Sequence, residues 1–238
     1  MALNVVILAA GLGTRLGRPH PKVLTPLADG RSILRHQLDH LRKAFGTDLH
    51  ATVVVGFKMS LVMEAAASDA VFVYNELYDQ TNTAKSLLKA LRLAPPGDVL
   101  WLNGDVVFVP DLLDELRPHL SGGQTFVSVN TASVADEEIK YTLDQAGFVQ
   151  ELSKQVVGGL GEAVGINFLA ARDRPVLTEH LDRCADTDYF ERGIETAIAE
   201  AGLRVRPVDI SAYGCVEVDF APDLDRANAL TGDPGVGA

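Results

Sequence analysis

The feature that most constrains this chain is a rhythm in its first half. Short apolar runs rich in β-branched residues alternate with stretches of helical period. Asn4 to Ala10 reads Asn-Val-Val-Ile-Leu-Ala-Ala and ends at a glycine, which suits a strand buried on both faces. Ser32 to Ala44 places Ile33, Leu34, Leu38 and Leu41 on one stripe. Ala51 to Val55, Ala70 to Tyr74 and Asp98 to Leu102 read as further buried strands. Lys58 to Ala67 and Thr83 to Leu93 read as the helices between them, and Pro110 to Leu116 starts another. The alternation predicts an α/β chain with a Rossmann-like, doubly wound, mostly parallel sheet and right-handed crossovers. Ligands of such sheets lie outside the carboxyl ends of the strands. Gly11 and Asp105 both follow strand ends, so both are expected at that crevice.

The second half changes character. Thr125 to Asn130 reads as a strand, and Ile139 to Leu143 and Phe148 to Leu152 flank Asp144-Gln145-Ala146-Gly147, a hairpin signal. Glu162 to Ala170 is a further strand, and Arg172 to Arg183 and Tyr189 to Ala201 are helical. Leu203 to Asp209 and Gly214 to Val218 read as strands, with Pro222 to Leu230 a closing helix. There is no repeat and no Pro/Ser-rich linker, which predicts one domain over 1–230 with an inserted β-rich lobe and a mobile tail at 231–238.

Composition excludes several classes. With 238 residues, 47% apolar and 22% charged, the chain can bury a sizeable core. No run approaches the roughly 20 apolar residues of a membrane span, so no membrane partner is expected. Met1-Ala2-Leu3-Asn4 lacks the charged start of a secretory signal. Two cysteines, Cys184 and Cys215, make neither a disulfide framework nor a zinc site, and a reducing cytoplasm is the expected setting. A net charge of −11 argues against nucleic-acid binding. An anionic ligand must therefore be met by a local exception to the global sign.

That exception spans Ala9 to Ala28, which holds Arg15, Arg18, His20 and Lys22 and no acid. Its core is Leu8-Ala9-Ala10-Gly11-Leu12-Gly13-Thr14-Arg15-Leu16, followed by Pro21-Lys22. Gly11 and Gly13 allow positive φ and close backbone approach, and successive N–H groups form an anion nest. Arg15 offers a fork for phosphate oxygens and Lys22 a point charge. A triphosphate under attack needs this combination of neutralisation and alignment. A dinucleotide fingerprint fails because Leu16 stands at its third glycine, and a Walker loop fails because Lys22 follows Pro21 and precedes Val23. The bland alternative is a solvated basic loop. Near the other end, Glu217-Val218-Asp219 places two carboxylates on one face of a strand, with Val216 and Val218 inward. No Ser–His–Asp or Cys–His cluster is visible.

The Leu-Ala-Ala-Gly-x-Gly-x-Arg-Leu segment with its downstream Pro-Lys resembles the signature of the nucleotidyltransferases that activate sugar phosphates and alcohol phosphates. The resemblance implies a nucleotide-diphospho-sugar transferase-like fold, with a nucleotide-binding half about 1–120 and an acceptor-binding half about 121–230. It implies that Leu8, Ala9, Ala10, Gly11, Gly13, Thr14 and Gly104 line the nucleotide, and that Arg15 and Lys22 act on its phosphates. It implies Mg²⁺ on Asp105 and Asp219, with Glu217 beside them. Asn75-x-x-Tyr78-x-x-x-Asn82-x-x-x-Ser86 resembles the segment with which phosphocholine cytidylyltransferase-like members hold cytidine, through Asn82 and Ser86; the alternative is a helix cap.

Lys140-Tyr-Thr-Leu-Asp, Leu152-Ser-Lys154 and Gly161-Glu162-Ala-Val-Gly165-Ile166 resemble the same subgroup, which includes aminophosphonate and phosphoalcohol cytidylyltransferases. There Lys154 would meet the acceptor phosphate and Glu162 its polar end, while Asp188 and Glu191 would face an amine or hydroxyls. Each acid also reads as a helix-start charge or an exposed pair. The short Gly17-Arg18-Pro19-His20 loop is similar to that of uridylyltransferases acting on N-acetylhexosamine 1-phosphate. The implied function is Mg-dependent transfer of a nucleoside monophosphate, CMP from CTP, to a small phosphoalcohol, aminoalcohol phosphate or phosphonate with release of pyrophosphate. The alternatives are a sugar 1-phosphate nucleotidyltransferase using UTP, dTTP or GTP, and a non-catalytic nucleotide-sensing domain. Homodimers are common in the family.

Overall fold

The computed structural model describes residues 3–132 and 138–232. Strand β1 (Leu3–Ala9) is buried from Asn4 onward because it runs parallel between two other strands. Its side chains alternate between two cores. Val6 and Leu8 enter one, and Val5 and Ile7 enter the other. Helix α1 (Ile33–Phe45) opens on Ser32, whose hydroxyl accepts the Arg35 amide at 3.2 Å. β2 (Leu49–Val55), α2 (Met59–Ala66), β3 (Val71–Tyr74), α3 (Thr83–Leu93) and β4 (Val99–Asn103) continue the strand–helix alternation. β5 (Val106–Phe108) follows at once. Three residues carry no readable period, so the sequence did not mark it. Then come α4 (Asp111–Ser121) and β6 (Phe126–Asn130).

The second half supplies β7 (Lys140–Leu143), β8 (Val149–Ser153), β9 (Glu162–Leu169), α5 (Arg174–Arg183), α6 (Phe190–Ala201), β10 (Arg206–Asp209), β11 (Cys215–Glu217) and α7 (Ala221–Thr231). The main sheet has the order β10-β6-β9-β4-β1-β2-β3, with β7 and β8 attached beside β9. β1 to β4 are mutually parallel, as the crossovers require. β9 runs antiparallel to both β4 and β6, so the sheet is mixed at that point. β11 pairs antiparallel with β5 outside the main sheet. α7 extends through Thr231, one residue into the segment expected to be mobile, and 233–238 lie outside the described residues. No helix among the described residues is long and apolar enough to cross a membrane.

Register brings the future site together. Leu8 of β1 lies opposite Asn103 of β4, and the Gly104 amide donates to the Leu8 carbonyl at 2.9 Å. The glycine loop after β1 and the Gly104-Asp105 turn after β4 therefore open on the same cleft.

Candidate active site

Gly13 holds φ at +62°, and a Cβ there would lie 2.9 Å from the Lys22 Cβ. Glycine at 13 lets the loop fold back over the Lys22 stem. Gly11 differs from expectation. Its φ is not positive, and a Cβ there would meet nothing within 4 Å. The fold itself does not require glycine at 11.

Lys22 begins a single 3-10 turn (Lys22–Leu24) that aims its ammonium into the cleft. Nζ donates to Asp105 Oδ2 at 2.6 Å and to Asp219 Oδ1. Arg15 Nη1 donates to the other oxygen of Asp219 at 2.7 Å. The four groups, drawn from three distant stretches of the chain, form one alternating cluster. Burial alone would lower the Lys22 pKa, but the two carboxylates outweigh it and raise the pKa. For Asp219, burial pushes up, while Lys22 and Arg15 together bring its pKa below the usual value.

Both aspartates are held from behind. The Val218 amide donates to the Asp105 carbonyl at 3.0 Å, which ties their segments together. Gln37, fully buried on α1, donates from Nε2 to the carbonyls of Asn103 (2.9 Å) and Val106 (2.7 Å). Those carbonyls flank Gly104-Asp105, so the amide clamps the turn that carries Asp105. Asp223 accepts the backbone amides of Asp219 (3.1 Å) and Phe220 (2.7 Å), and Arg226 holds Asp223 at 2.8 Å. Asp105 Oδ1 is buried with no hydrogen-bond partner. Glu217 accepts from Asn103 Nδ2 at 2.7 Å, and burial followed by the Asp105 charge raises its pKa.

The opposite wall is built where two helices begin. Asn82 caps α3 by accepting the Thr83 amide at 2.8 Å, and its backbone amide donates to the Asp186 carbonyl at 2.7 Å. The Phe190 amide donates to Thr83 Oγ1 at 3.1 Å. The start of α6 is thereby stitched to the start of α3. Beneath them Phe190 meets the buried Trp101 edge-on at 5.5 Å. Glu191, in the first turn of α6, is 9% exposed and its Oε2 has no partner. Burial pushes its carboxyl up to about 7, with Glu138 adding to the shift and Lys154 opposing it. Glu138 is itself raised by burial, then by Glu162. Lys154 Nζ sits 5.2 Å from the centre of the Tyr189 ring.

These walls enclose a cleft of about 380 Å³. Of the residues expected there, Leu8, Ala9, Gly11, Gly13, Arg15, Lys22, Asn82, Gly104, Asp105, Lys154, Glu191 and Asp219 line it. The others stand elsewhere, for visible reasons. Ala10 is buried and turns its carbonyl to the Phe57 amide. Ser86 is buried and accepts from Asn75 at 3.1 Å, which serves to hold the 75–86 segment together. Glu162 faces Asn130 across the sheet at 3.4 Å, opposite Lys140 in register. Asp188 accepts the Ala185 amide at 2.8 Å in a tight turn. The Thr14 side chain lies outside what the structure describes. Asn103, Thr83, Glu138 and Tyr189 line the cleft without having been expected. Asn103 was findable as part of Asn-Gly-Asp, whereas Glu138 carries no local signal. Cys184 and Cys215 are free, and burial raises both thiols, which suits packing rather than nucleophilic chemistry.

An α/β sheet with a glycine loop and a Lys–Asp–Asp cluster at its strand ends defines a nucleotide-handling enzyme class. The MobA-like NTP transferase domain matches residues 5–205, and the chain belongs to that family. The chain is 33% identical to the CMP-5'-(3-aminopropyl)phosphonate synthase of Streptomyces rubellomurinus over 252 residues, covering 95% of this chain and 38% of that protein. Over 102 residues it is 43% identical to the bifunctional protein GlmU of Granulibacter bethesdensis, covering 43% of this chain and 21% of that protein. The chain thus spans well under half the length of either relative. The inositol-1-phosphate CTP transferase of T. maritima shares the fold, with a TM-score of 0.77 at 16% identity, over 100% of this chain and 99% of that one.

Proposed function

We propose that this nucleotidyltransferase transfers CMP from CTP to a small phosphoalcohol, aminoalcohol phosphate or phosphonate and releases pyrophosphate. The observation that carries the reading is Lys22 bridging Asp105 and Asp219 directly beneath the glycine loop. The similarity to an aminopropylphosphonate-activating relative along nearly the whole chain supports the base and the acceptor class. A triphosphate laid along Gly11 and Gly13 would meet Arg15 and Lys22 at its phosphates. Open space over Gly11 suits such a ligand, since the fold leaves that position unfilled. The acceptor's ionised oxygen attacks the α-phosphorus, and the bond to the leaving pyrophosphate breaks. The attacking group is already an anion, so no enzyme nucleophile or base is needed. The chain's part is positioning and electrostatic stabilisation.

Asp105 and Asp219 fit a Mg²⁺ ion. They stand side by side, and the buried Asp105 Oδ1 lacks any partner in the protein. Mg²⁺ takes one or two carboxylates and completes its shell with phosphate oxygens and water. When bound, the ion supplies neutralisation of phosphate charge; Arg15 and Lys22 supply the remainder. Lys154, which also lines the cleft, would meet the acceptor phosphate. A second reading, UTP, dTTP or GTP with a sugar 1-phosphate, is favoured by the short Gly17-Arg18-Pro19-His20 loop.

Pyrophosphate release separates the readings. CTP, UTP, dTTP, ATP and GTP are crossed with 2-aminoethylphosphonate, phosphocholine, inositol 1-phosphate, glucose 1-phosphate and N-acetylglucosamine 1-phosphate, with Mg²⁺ present. Release confined to CTP with a phosphoalcohol or phosphonate is the expected result. Release with UTP, dTTP or GTP and a sugar phosphate transfers the chain to the second reading. Nucleotide binding without any release points to a sensing role.

A further inference from the structure

The glycine loop leaves β1 at Ala10, and its basic continuation returns at Pro21-Lys22. The turn after the neighbouring strand β2 touches this segment near both ends. The Phe57 amide donates to the Ala10 carbonyl at 3.0 Å. Gly56 permits that approach, since a Cβ there would lie 2.6 Å from the same carbonyl. Toward the far end, Lys58 Nζ donates to the Pro19 carbonyl. Gly17, Arg18 and Pro19 are exposed, and His20 is half-buried with its ring against the Pro21 carbonyl. Among the described residues, Lys58 is the one side chain from another element that hydrogen-bonds to 17–20.

Lys58 adopts an unfavourable backbone state in this turn. Its φ of +46° and ψ of +44° are left-handed, which costs energy in any residue that carries a Cβ. It stands at the N-cap of α2, yet its side chain caps nothing there. Neither backbone preference nor capping accounts for a lysine at this position. Its ammonium lies 5.3 Å from the centre of the Phe57 ring, which narrows the directions the side chain can take. We infer that Lys58 is a positioning residue: a strut from the β2–α2 turn that holds the 17–20 loop, and so the separation of Arg15 and Lys22, before a triphosphate arrives. Arg15 and Lys22 flank that loop and must meet one ligand together. A loop ordered only on binding subtracts its lost entropy from the affinity, whereas a loop ordered beforehand does not. The strained backbone at 58 is then a local cost offset at the neighbouring site. This rests on reading the glycine loop as the seat of a triphosphate.

The test compares the intact protein with Lys58→Met, Lys58→Arg and Lys58→Gly. Three readouts are taken: amide order parameters at Gly17, Arg18 and His20 without ligand, CTP affinity by titration calorimetry, and the kinetics of pyrophosphate release. In the intact protein the order parameters should stand at about 0.85, and Lys58→Met should lower them below about 0.6. The same variant should weaken CTP affinity, and raise KM for CTP, by about tenfold. Its kcat at saturating CTP should fall by no more than about threefold, because the bound triphosphate then holds the loop. Lys58→Arg keeps a donor and should restore affinity to within about threefold. Lys58→Gly separates the strut from stability: it relieves the positive φ, so the melting temperature should not fall, while affinity falls as in Lys58→Met. Affinity retained in Lys58→Gly overturns the proposal, as do unchanged order parameters in Lys58→Met. Weakened affinity with the loop still ordered also overturns it, since Lys58 would then meet phosphate itself. If the intact protein neither binds CTP nor releases pyrophosphate, the functional reading fails, and the order parameters still decide the strut.

Discussion

The two walls of the cleft are built on opposite principles. The wall under the glycine loop, the closed wall, is paired in charge: Arg15, Lys22, Asp105 and Asp219 alternate in sign, with Asp105 Oδ1 alone left without a partner. The wall at the start of α6 is open: Glu191 is buried, and one of its carboxylate oxygens has no partner. The first wall is preorganised before any ligand arrives. The second keeps a carboxyl whose titration burial has pushed upward.

Substitutions can break that contrast. The largest effect is expected on the closed wall. Lys22→Ala and Asp105→Ala should each cost at least about a hundredfold in kcat, as when a preorganised charge is removed. Asp219→Asn should cost more than Glu217→Gln. Steady-state pyrophosphate release checks both statements, and full activity in Lys22→Ala would remove the ammonium from the mechanism.

On the open wall the expected effect is on stability and carries a pH signature. The Glu191 carboxyl has a folded pKa near 7 against an ordinary 4.5, so the fold favours its protonated form. The associated stability is present below pH 4.5, is lost as pH rises through the folded value, and leaves a full penalty above it. Glu191→Gln should therefore gain on the parent chain between about pH 5.5 and about pH 8, by at most about 3 kcal/mol. Urea unfolding at the two pH values measures it. A constant difference would show that Glu191 is not buried without a counter-charge.

Behind the closed wall, Gln37→Leu leaves the carbonyls of Asn103 and Val106 without their donor. A loss of about 2 kcal/mol in unfolding free energy is expected, with a fall in kcat from the loosened Asp105 turn. Unchanged kcat with lowered stability would confine Gln37 to packing. The smallest contrast is between two glycines of one loop. Gly13→Ala should cost about 1 kcal/mol of stability through its positive φ. Gly11→Ala should leave the melting temperature alone and weaken triphosphate binding, measured by titration.

The closed wall was the more legible in sequence. Gly11 to Lys22 is contiguous, and contiguity is what a motif records. Asp105 was visible because a turn follows an obvious strand; Asp219 was visible only through the resemblance, since β11 ends at Glu217 and the expected alternation of the two acids on one strand face stops short of it. The open wall is assembled from residues that share no local pattern: Glu138 precedes β7, and Thr83 at the start of α3 lines the cleft while accepting the Phe190 amide from α6. Ser86 shows the converse, since it sits in a suggestive spacing yet holds Asn75 inside the fold. The parallel half of the sheet was readable from buried runs. The antiparallel insertion of β9 was not, because a buried strand looks the same in either direction.

That insertion has a consequence for how the chain is made. β4 occupies the centre of the sheet, and one of its edges is covered only by β9, whose residues Glu162–Leu169 lie about sixty positions downstream. While the chain is being synthesised, β1, β2, β3 and β4 can assemble early and then present an uncapped edge, a row of unpaired backbone N–H and C=O groups beside the apolar Val99-Leu100-Trp101-Leu102 run, until β9 emerges. The interval between those two strands is where a nascent chain of this architecture is most exposed to misassembly, and a ribosome pausing within it would prolong the hazard.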